Sequence, residues 1–315
     1  VINKVGTFYG KASTTESLDA SECLPINSAA VAHTLAFGEP YFPAAWVKNK
    51  SYVPQPTVEA RDSSGNIVPV TIPVELTLHS NSDCSSAPLA KGVGSTWDVD
   101  ATPNQTTNGK ITFSGFKVFK GGKYYLKAKT SSPGVLPICS YQFIVANSLY
   151  FNPFGPTTIV QNKPSTVDTK VQTVWKVDPT TVHNASVNGE NVTISVFKDS
   201  NCTGPEVPGT DWYFASANPK ASVNGDAIFS GLVFTKVGKY YLKASSPNLD
   251  PVCSSGDGIN VTPASKKIIF LDPKPSTTGT TDTPLEKQPK VQLVDEAGNP
   301  VIGDEKEIKI SVTTD

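Results

Sequence analysis

The chain has 315 residues, with 27 basic against 28 acidic side chains. That balance offers no basic face for a nucleic acid and no charged tail, and no apolar run is long enough to cross a bilayer as a helix. The sequence is rich in Thr, Ser, Val and Asn, and its 26 prolines and 23 glycines suit the corners of an all-β protein far better than long helices.

The chain opens at Val1 and contains no Met, which reads as a processed or internal point of a longer product. The first recognisable element is Val5-Gly6-Thr7-Phe8-Tyr9-Gly10-Lys11-Ala12-Ser13. It recurs around Gly122 and again around Gly238, so that the three glycines stand 116 and 116 residues apart. A fixed period of this size marks a repeated domain. Residues 1–34 are expected to be the C-terminal part of one repeat, 35–147 and 148–264 two complete repeats, and 265–315 the N-terminal part of a further one.

In the first complete repeat, Tyr41, Phe42 and Trp46 lie close together, as a contact platform or as packing at a repeat junction. Asp62-Ser63-Ser64-Gly65-Asn66 predicts a turn; it returns as Asp295-Glu296-Ala297-Gly298-Asn299, and Asp178 falls 116 residues after Asp62. Over 73–79, Val74, Leu76 and Leu78 alternate with Glu75, Thr77 and His79, which predicts a strand with one buried and one wet face. Trp97 and Trp212 lie 115 apart, and Phe113-Ser114-Gly115-Phe116 returns 116 residues on as Phe229-Ser230-Gly231-Leu232. Tyr124, Leu126 and Ala128 share one strand face. Tyr124 and its counterpart Tyr240 sit where a sandwich forms a tyrosine corner, a slot that Phe8 fills in the first partial repeat. Val192–Val196 alternates in the second repeat, and Ile308–Val312 in the last. About seven short strands per repeat predict tandem immunoglobulin-like β-sandwich domains.

The repeat frame also resolves the five cysteines. Cys84 corresponds to Cys202 and Cys139 to Cys253, so each complete repeat is expected to hold an intradomain disulfide, Cys84–Cys139 and Cys202–Cys253. Cys23 fills the later slot of the first partial repeat, and its partner slot lies outside the chain. There is no Cys-x-x-Cys pair, and His33, His79 and His183 are scattered, which argues against zinc. Structural disulfides imply an oxidising compartment, extracellular, cell-surface or periplasmic.

Gly225–Leu232 and Val237–Ala244, with the opening Gln288–Val301, resemble bacterial Ig-like repeats of surface proteins and large adhesins. The resemblance runs along nearly the whole chain and implies a stalk, spacer or polymer-wall module. The paired cysteines depart from the commonest members of that family and imply reinforcement against force, heat or proteases.

No nucleophile elbow, Walker loop, dinucleotide fingerprint or His-Glu-x-x-His motif occurs. The carboxylates recur with the repeat, as turn residues would, so no catalytic residue and no enzymatic activity are expected. Turn capping also accounts for Asp62, Asp178 and Asp295, with structural calcium as the competing reading; no metal ligand set and no other cofactor are assigned. Asn49, Asn104, Asn184, Asn191, Asn201 and Asn260 fit the glycosylation sequon. The function read from these features is structural: repeats stacked into an extracellular filament, stalk, sheath or cell-surface layer, partnered by copies of the chain or by neighbouring repeats. The alternative is an adhesin that binds a host protein or glycan through sandwich loops. Neither reading identifies its binding residues.

Overall fold

A backbone rich in β-branched residues and broken every few positions by Gly, Pro or Asn satisfies its N–H and C=O groups by pairing short strands. The computed structural model describes residues 6–10, 24–28, 31–178, 181–254, 256, 258–302 and 304–311. Among them there are strands and turns and no helix. The chain divides into two compact units, Val1–Val145 and Ala146–Asp315.

The first unit opens with the antiparallel pair β1 (Gly6–Gly10) and β2 (Leu24–Ser28). Its sandwich then comprises β3 (Thr34–Phe37), β4 (Ala45–Val47), β5 (Thr57–Arg61), β6 (Pro73–His79), β7 (Trp97–Asp98) and β8 (Asn104–Gln105). It closes with β9 (Lys110–Thr112), β10 (Lys117–Val118), β11 (Gly122–Lys129), β12 (Ile138–Cys139) and β13 (Phe143–Ala146). One sheet has the order β3-β5-β9; the other runs β4-β13-β11-β6-β8, with β12 also on β11. The core lies between them: Leu35, Val58 and Ala60 share it with Val74, Leu76, Leu78, Leu126, Ala128 and Phe143.

The second unit repeats this plan with β14 (Ser148–Phe151), β15 (Thr158–Val160), β16 (Thr169–Lys176), β17 (Val182–Asn184), β18 (Asn191–Phe197) and β19 (Trp212–Phe214). It continues with β20 (Lys220–Ala221), β21 (Asp226–Phe229), β22 (Leu232–Phe234), β23 (Gly238–Ser246), β24 (Leu249–Cys253) and β25 (Ile259–Thr262). Here β14-β16-β21 answers β3-β5-β9, and β18-β23-β25 answers β6-β11-β13. The unit ends in a hairpin of β26 (Lys267–Phe270) with β27 (Val291–Val294).

Corresponding residues meet in the same register. Leu35 faces Ala60, Leu149 faces Thr173 and Ile268 faces Leu293. Tyr124 faces Phe143, Tyr240 faces Ile259 and Phe8 faces Ile26. The tyrosine corner forms in both sandwiches: Tyr124 Oη donates to Lys120 O at 3.2 Å and Tyr240 Oη to Lys236 O at 2.9 Å. Asn108-Gly109 and Asn224-Gly225 each adopt positive φ at both residues, the tight hairpin turn that Asn-Gly favours.

Four expectations change. Asp62 and Asp295 each stand two residues beyond the matched positions Ala60 and Leu293, but two residues beyond Thr173 stands Trp175. The β16–β17 ladder extends through Trp175 and Lys176, where the first sandwich has an isolated bridge between Arg61 and Ile67. Asp178 is therefore carried into a longer hairpin, and the 116-residue match to Asp62 is coincidental. Second, the face of β6 expected to be wet is largely covered, with Thr77 and His79 buried, because the excursion that follows β6 folds back over it. Third, Ile308–Ser311 form no strand; the matching β18 is held by β23, and no counterpart of β23 faces 308–311 among the described residues. Fourth, the aromatic trio is split within its own sandwich. Phe42 is in the core, Trp46 stacks on Tyr52 at 5.4 Å and Tyr41 alone is exposed. Cys23 and Val312 lie outside the described residues.

Candidate functional site

Each complete sandwich carries the same construction on the outer face of its β6–β11 or β18–β23 pair. The chain leaves β6 at His79 and turns at Asn81-Ser82-Asp83-Cys84, where Cys84 N donates to Asn81 O at 3.2 Å and Cys84 has a φ of 51°. In the second sandwich Cys202 N donates to Asp199 O at 3.2 Å, with a φ of 53°. Left-handed geometry is unfavourable for a side chain with a Cβ, yet both cysteines adopt it where a covalent bridge follows. Cys84 bonds to Cys139 and Cys202 to Cys253, with Cα separations of 5.9 and 5.8 Å.

The carboxylates expected in turns organise this bend and its relatives. Asp199 accepts from the N–H groups of Thr203, Gly204 and Asn201, which hold its carboxyl below the ordinary range. Asp83 accepts from the hydroxyl and N–H of Ser85, with the same result. Asp62 and Asp295 accept from Asn66 N at 2.9 Å and Asn299 N at 2.8 Å, and Asp178 accepts from Thr181 N at 2.8 Å. Their oxygens are thus engaged by turn donors, and no cluster of three or more His, Cys, Asp or Glu side chains suited to a metal occurs among the described residues.

Beyond the cysteine, the excursion is stitched back by matched hydrogen bonds. Leu89 N donates to Leu78 O and Val207 N to Val196 O, both at 2.8 Å. The buried tryptophans complete the tie: Trp97 Nε1 donates to Leu89 O at 3.0 Å and Trp212 Nε1 to Val207 O at 3.1 Å. After the second cysteine comes a serine that sequence reasoning missed. Leu126 N donates to Ser140 Oγ at 2.9 Å while Ser140 N donates to Leu126 O at 2.8 Å. Ser254 does the same with Leu242, at 3.1 and 2.7 Å. The signal was the Cys-Ser pair at both slots, 139–140 and 253–254.

What fills the space beneath the excursion differs. In the second sandwich Phe197, Cys202 and Tyr241 form a small buried apolar cluster, with Cys253 packed against it. In the first, His79 occupies the place of Phe197, facing Tyr125 as Phe197 faces Tyr241. His79 Nδ1 lies 3.0 Å from Ser86 O and Nε2 2.9 Å from Thr77 Oγ1. A carbonyl only accepts, so Nδ1 carries the proton and Nε2 accepts from the threonine.

Three buried carboxylates lie elsewhere, among them Glu190, which accepts from Ser246 Oγ and Asn248 Nδ2. Glu59, on the central strand β5, is 3% exposed and holds Arg61 Nη2 at 2.6 Å and Lys110 Nζ at 2.9 Å. Burial raises its pKa, but the bonds from Lys110 and Arg61 outweigh this and hold it below the ordinary range. Gly38 makes room for it, since a Cβ there would overlap the Glu59 carboxylate. At the matched pair in the second sandwich, Glu59–Lys110 is replaced by Gln172–Asp226, with Gln172 Nε2 donating to Asp226 at 2.8 Å. The third is Asp304, 4% exposed, which accepts from Ser265 N at 2.8 Å, from Ser265 Oγ and from Lys163 Nζ. It clasps the segment after β27 to the β15 turn within the second unit. Burial acts to raise its pKa, and the bonds from Lys163 and Ser265 hold it far below the ordinary range.

No protein-family model matches the chain, and neither does any curated protein. Among solved structures, the D0-D1 domain of intimin is 17% identical, over 70% of this chain and 96% of that one, with a TM-score of 0.23. The adhesin InvE of Yersinia pseudotuberculosis is 14% identical, over 84% and 74%, with a TM-score of 0.31. A glycosyl hydrolase family 2 member from Bacteroides cellulosilyticus is 13% identical, over 66% of this chain and 24% of that one, with a TM-score of 0.25. The sandwich assignment rests on the strand pairings described above rather than on these likenesses.

Proposed function

We propose that this chain is a non-enzymatic structural part of an extracellular or cell-surface assembly, a stalk, sheath, filament or surface layer built from sandwich modules in tandem. The observation that carries this reading is the disulfide excursion, built twice on the same hydrogen bonds. A bridge between residues 55 or 51 apart in sequence removes loop entropy from the unfolded chain and stabilises a domain by roughly 4 kcal/mol in the chain-entropy model. It also limits how far a pulled module can extend. Such bridges persist in oxidising compartments, which supports a location outside the cytoplasm. The clasp at Asp304 supports stiffness from one module to the next, because its ion pair and hydrogen bonds resist bending there.

Electron microscopy of the native material tests the reading. Filaments or arrays with an axial spacing equal to a whole number of sandwiches are expected. Isolated, freely bending rods that bind cells or glycans would favour adhesion instead and refute the structural assignment.

A further inference from the structure

We infer that the first sandwich carries a proton-operated latch beneath its disulfide excursion: protonation of buried His79 loosens residues 80–90, while the second sandwich, with Phe197 in the same place, does not respond. The geometry behind this is specific. His79 is 2% exposed, and both ring nitrogens are committed, Nδ1 to Ser86 O on the excursion itself and Nε2 to Thr77 Oγ1. The neutral ring satisfies both partners. A charged ring must donate from Nε2 as well, which takes from Thr77 the acceptor its hydroxyl uses, and it places a charge where water does not reach.

Among the described residues, no carboxylate bonds the ring, whose two nitrogens meet Ser86 O and Thr77 Oγ1. From β11, Lys127 reaches Cys84 O at 3.3 Å, on the same excursion. Lys129, also of β11, pairs with Glu75 of β6 at 3.2 Å. Tyr125, directly across from His79, sends its hydroxyl to Gln142. On the excursion, Asp83 is engaged by Ser85 and Asn81. The charged groups that act on the ring are the cations Lys127 and Lys129. Burial first, then Lys127 and Lys129, push the His79 pKa below its ordinary value, against the opposing bond to Ser86.

The sign follows. A histidine whose folded pKa lies below its open-state value takes up a proton on opening, so its contribution to closure is complete above about pH 6.5 and falls as the solution is acidified through the folded value. The latch is closed at neutral pH and weakens in acid.

The chain provides its own control, because Leu89 N–H and Val207 N–H make the same bond in the two sandwiches. Hydrogen exchange of the full, disulfide-intact chain, corrected for intrinsic rates, is compared at pH 7.5 and pH 5. The Leu89 amide is expected to lose about fivefold or more of its protection, and Val207 to stay within about twofold. His79→Phe, which copies the second sandwich, or His79→Gln, which keeps polar bonding without the charge, should abolish the difference. Equal losses at both amides, or a Leu89 loss that persists in both variants, would overturn the latch. So would a His79 ring that titrates by NMR at or above the ordinary histidine value.

Discussion

Gly109→Ala should unfold the first sandwich far more readily than Gly134→Ala, although both glycines have left-handed backbone, with φ of 74° and 77°. That conformation costs an L side chain about 1–2 kcal/mol. At Gly134 nothing lies within 4 Å of the added methyl, so this is the whole effect. At Gly109 the methyl would overlap the carbonyl oxygen of Val68, which is backbone and cannot rotate aside. The turn must withdraw, and two hydrogen bonds go with it: Gly109 N to Val70 O at 3.0 Å and Ala60 N to Gly109 O at 2.8 Å. At about 1 kcal/mol for each bond, the total comes to about 3–4 kcal/mol, a fall in melting temperature on the order of 12–15 °C for a domain of this size. The second sandwich offers a replicate. Gly225 has a φ of 87°, its Cβ would stand 2.9 Å from Ser186 N, and it bonds to Val187 O at 3.0 Å and from Thr173 N at 2.8 Å. Denaturant titration of the whole chain, read by hydrogen exchange so that each sandwich reports separately, provides the measurement. If Gly109→Ala and Gly134→Ala prove equally mild, the seating of the hairpin turn against the loop after β5 does not stabilise the fold as argued.

Further predictions follow from the buried polar groups and the bridges. Tyr52 Oη is buried with no hydrogen-bond partner among the described residues, so Tyr52→Phe should be neutral or stabilise the first sandwich by up to about 1 kcal/mol; a clear loss in thermal melts would mean that the hydroxyl is satisfied. The low carboxyl pKa of Glu59 contributes stability that is present above about pH 4.3 and lost as the pH falls through the lower folded value. Lys110→Ala should therefore move the acid-unfolding midpoint upward, and an unchanged midpoint would show that Arg61 suffices alone. Asp304→Asn should release Ser265, raising exchange at its amide at least tenfold for a loss of about 1.5–3 kcal/mol, with little change at Leu149 as a remote reference. Replacing Cys202 and Cys253 with Ser should lower the stability of the second sandwich by about 4 kcal/mol, measured against the first sandwich in the same chain.

Much of the fold was legible because its signals are local or periodic. Alternation at Val74, Leu76 and Leu78 reports a strand face wherever the strand ends up, and the tyrosines before Leu126 and Leu242 reach their corner carbonyls four residues back. The cysteine pairing was legible for a related reason: two copies of one frame leave a single consistent assignment. The matched hairpin turns at Asn108-Gly109 and Asn224-Gly225 are equally local signals, since Asn-Gly favours positive φ at both residues.

Residue type and spacing along the chain suffice for the all-β class, the bridges and the inward face of the central strands. What covers the outward faces is set by tertiary contacts. Whether His79 meets water or a carbonyl seven residues away, whether Glu59 lies beneath Arg61 and Lys110, and whether Asp178 continues the turn of Asp62 or rides a longer hairpin are settled by segments that meet in space. Polar residues on a strand carry no mark of which loop will fold over them, so burial on that side becomes visible once the loop is in place.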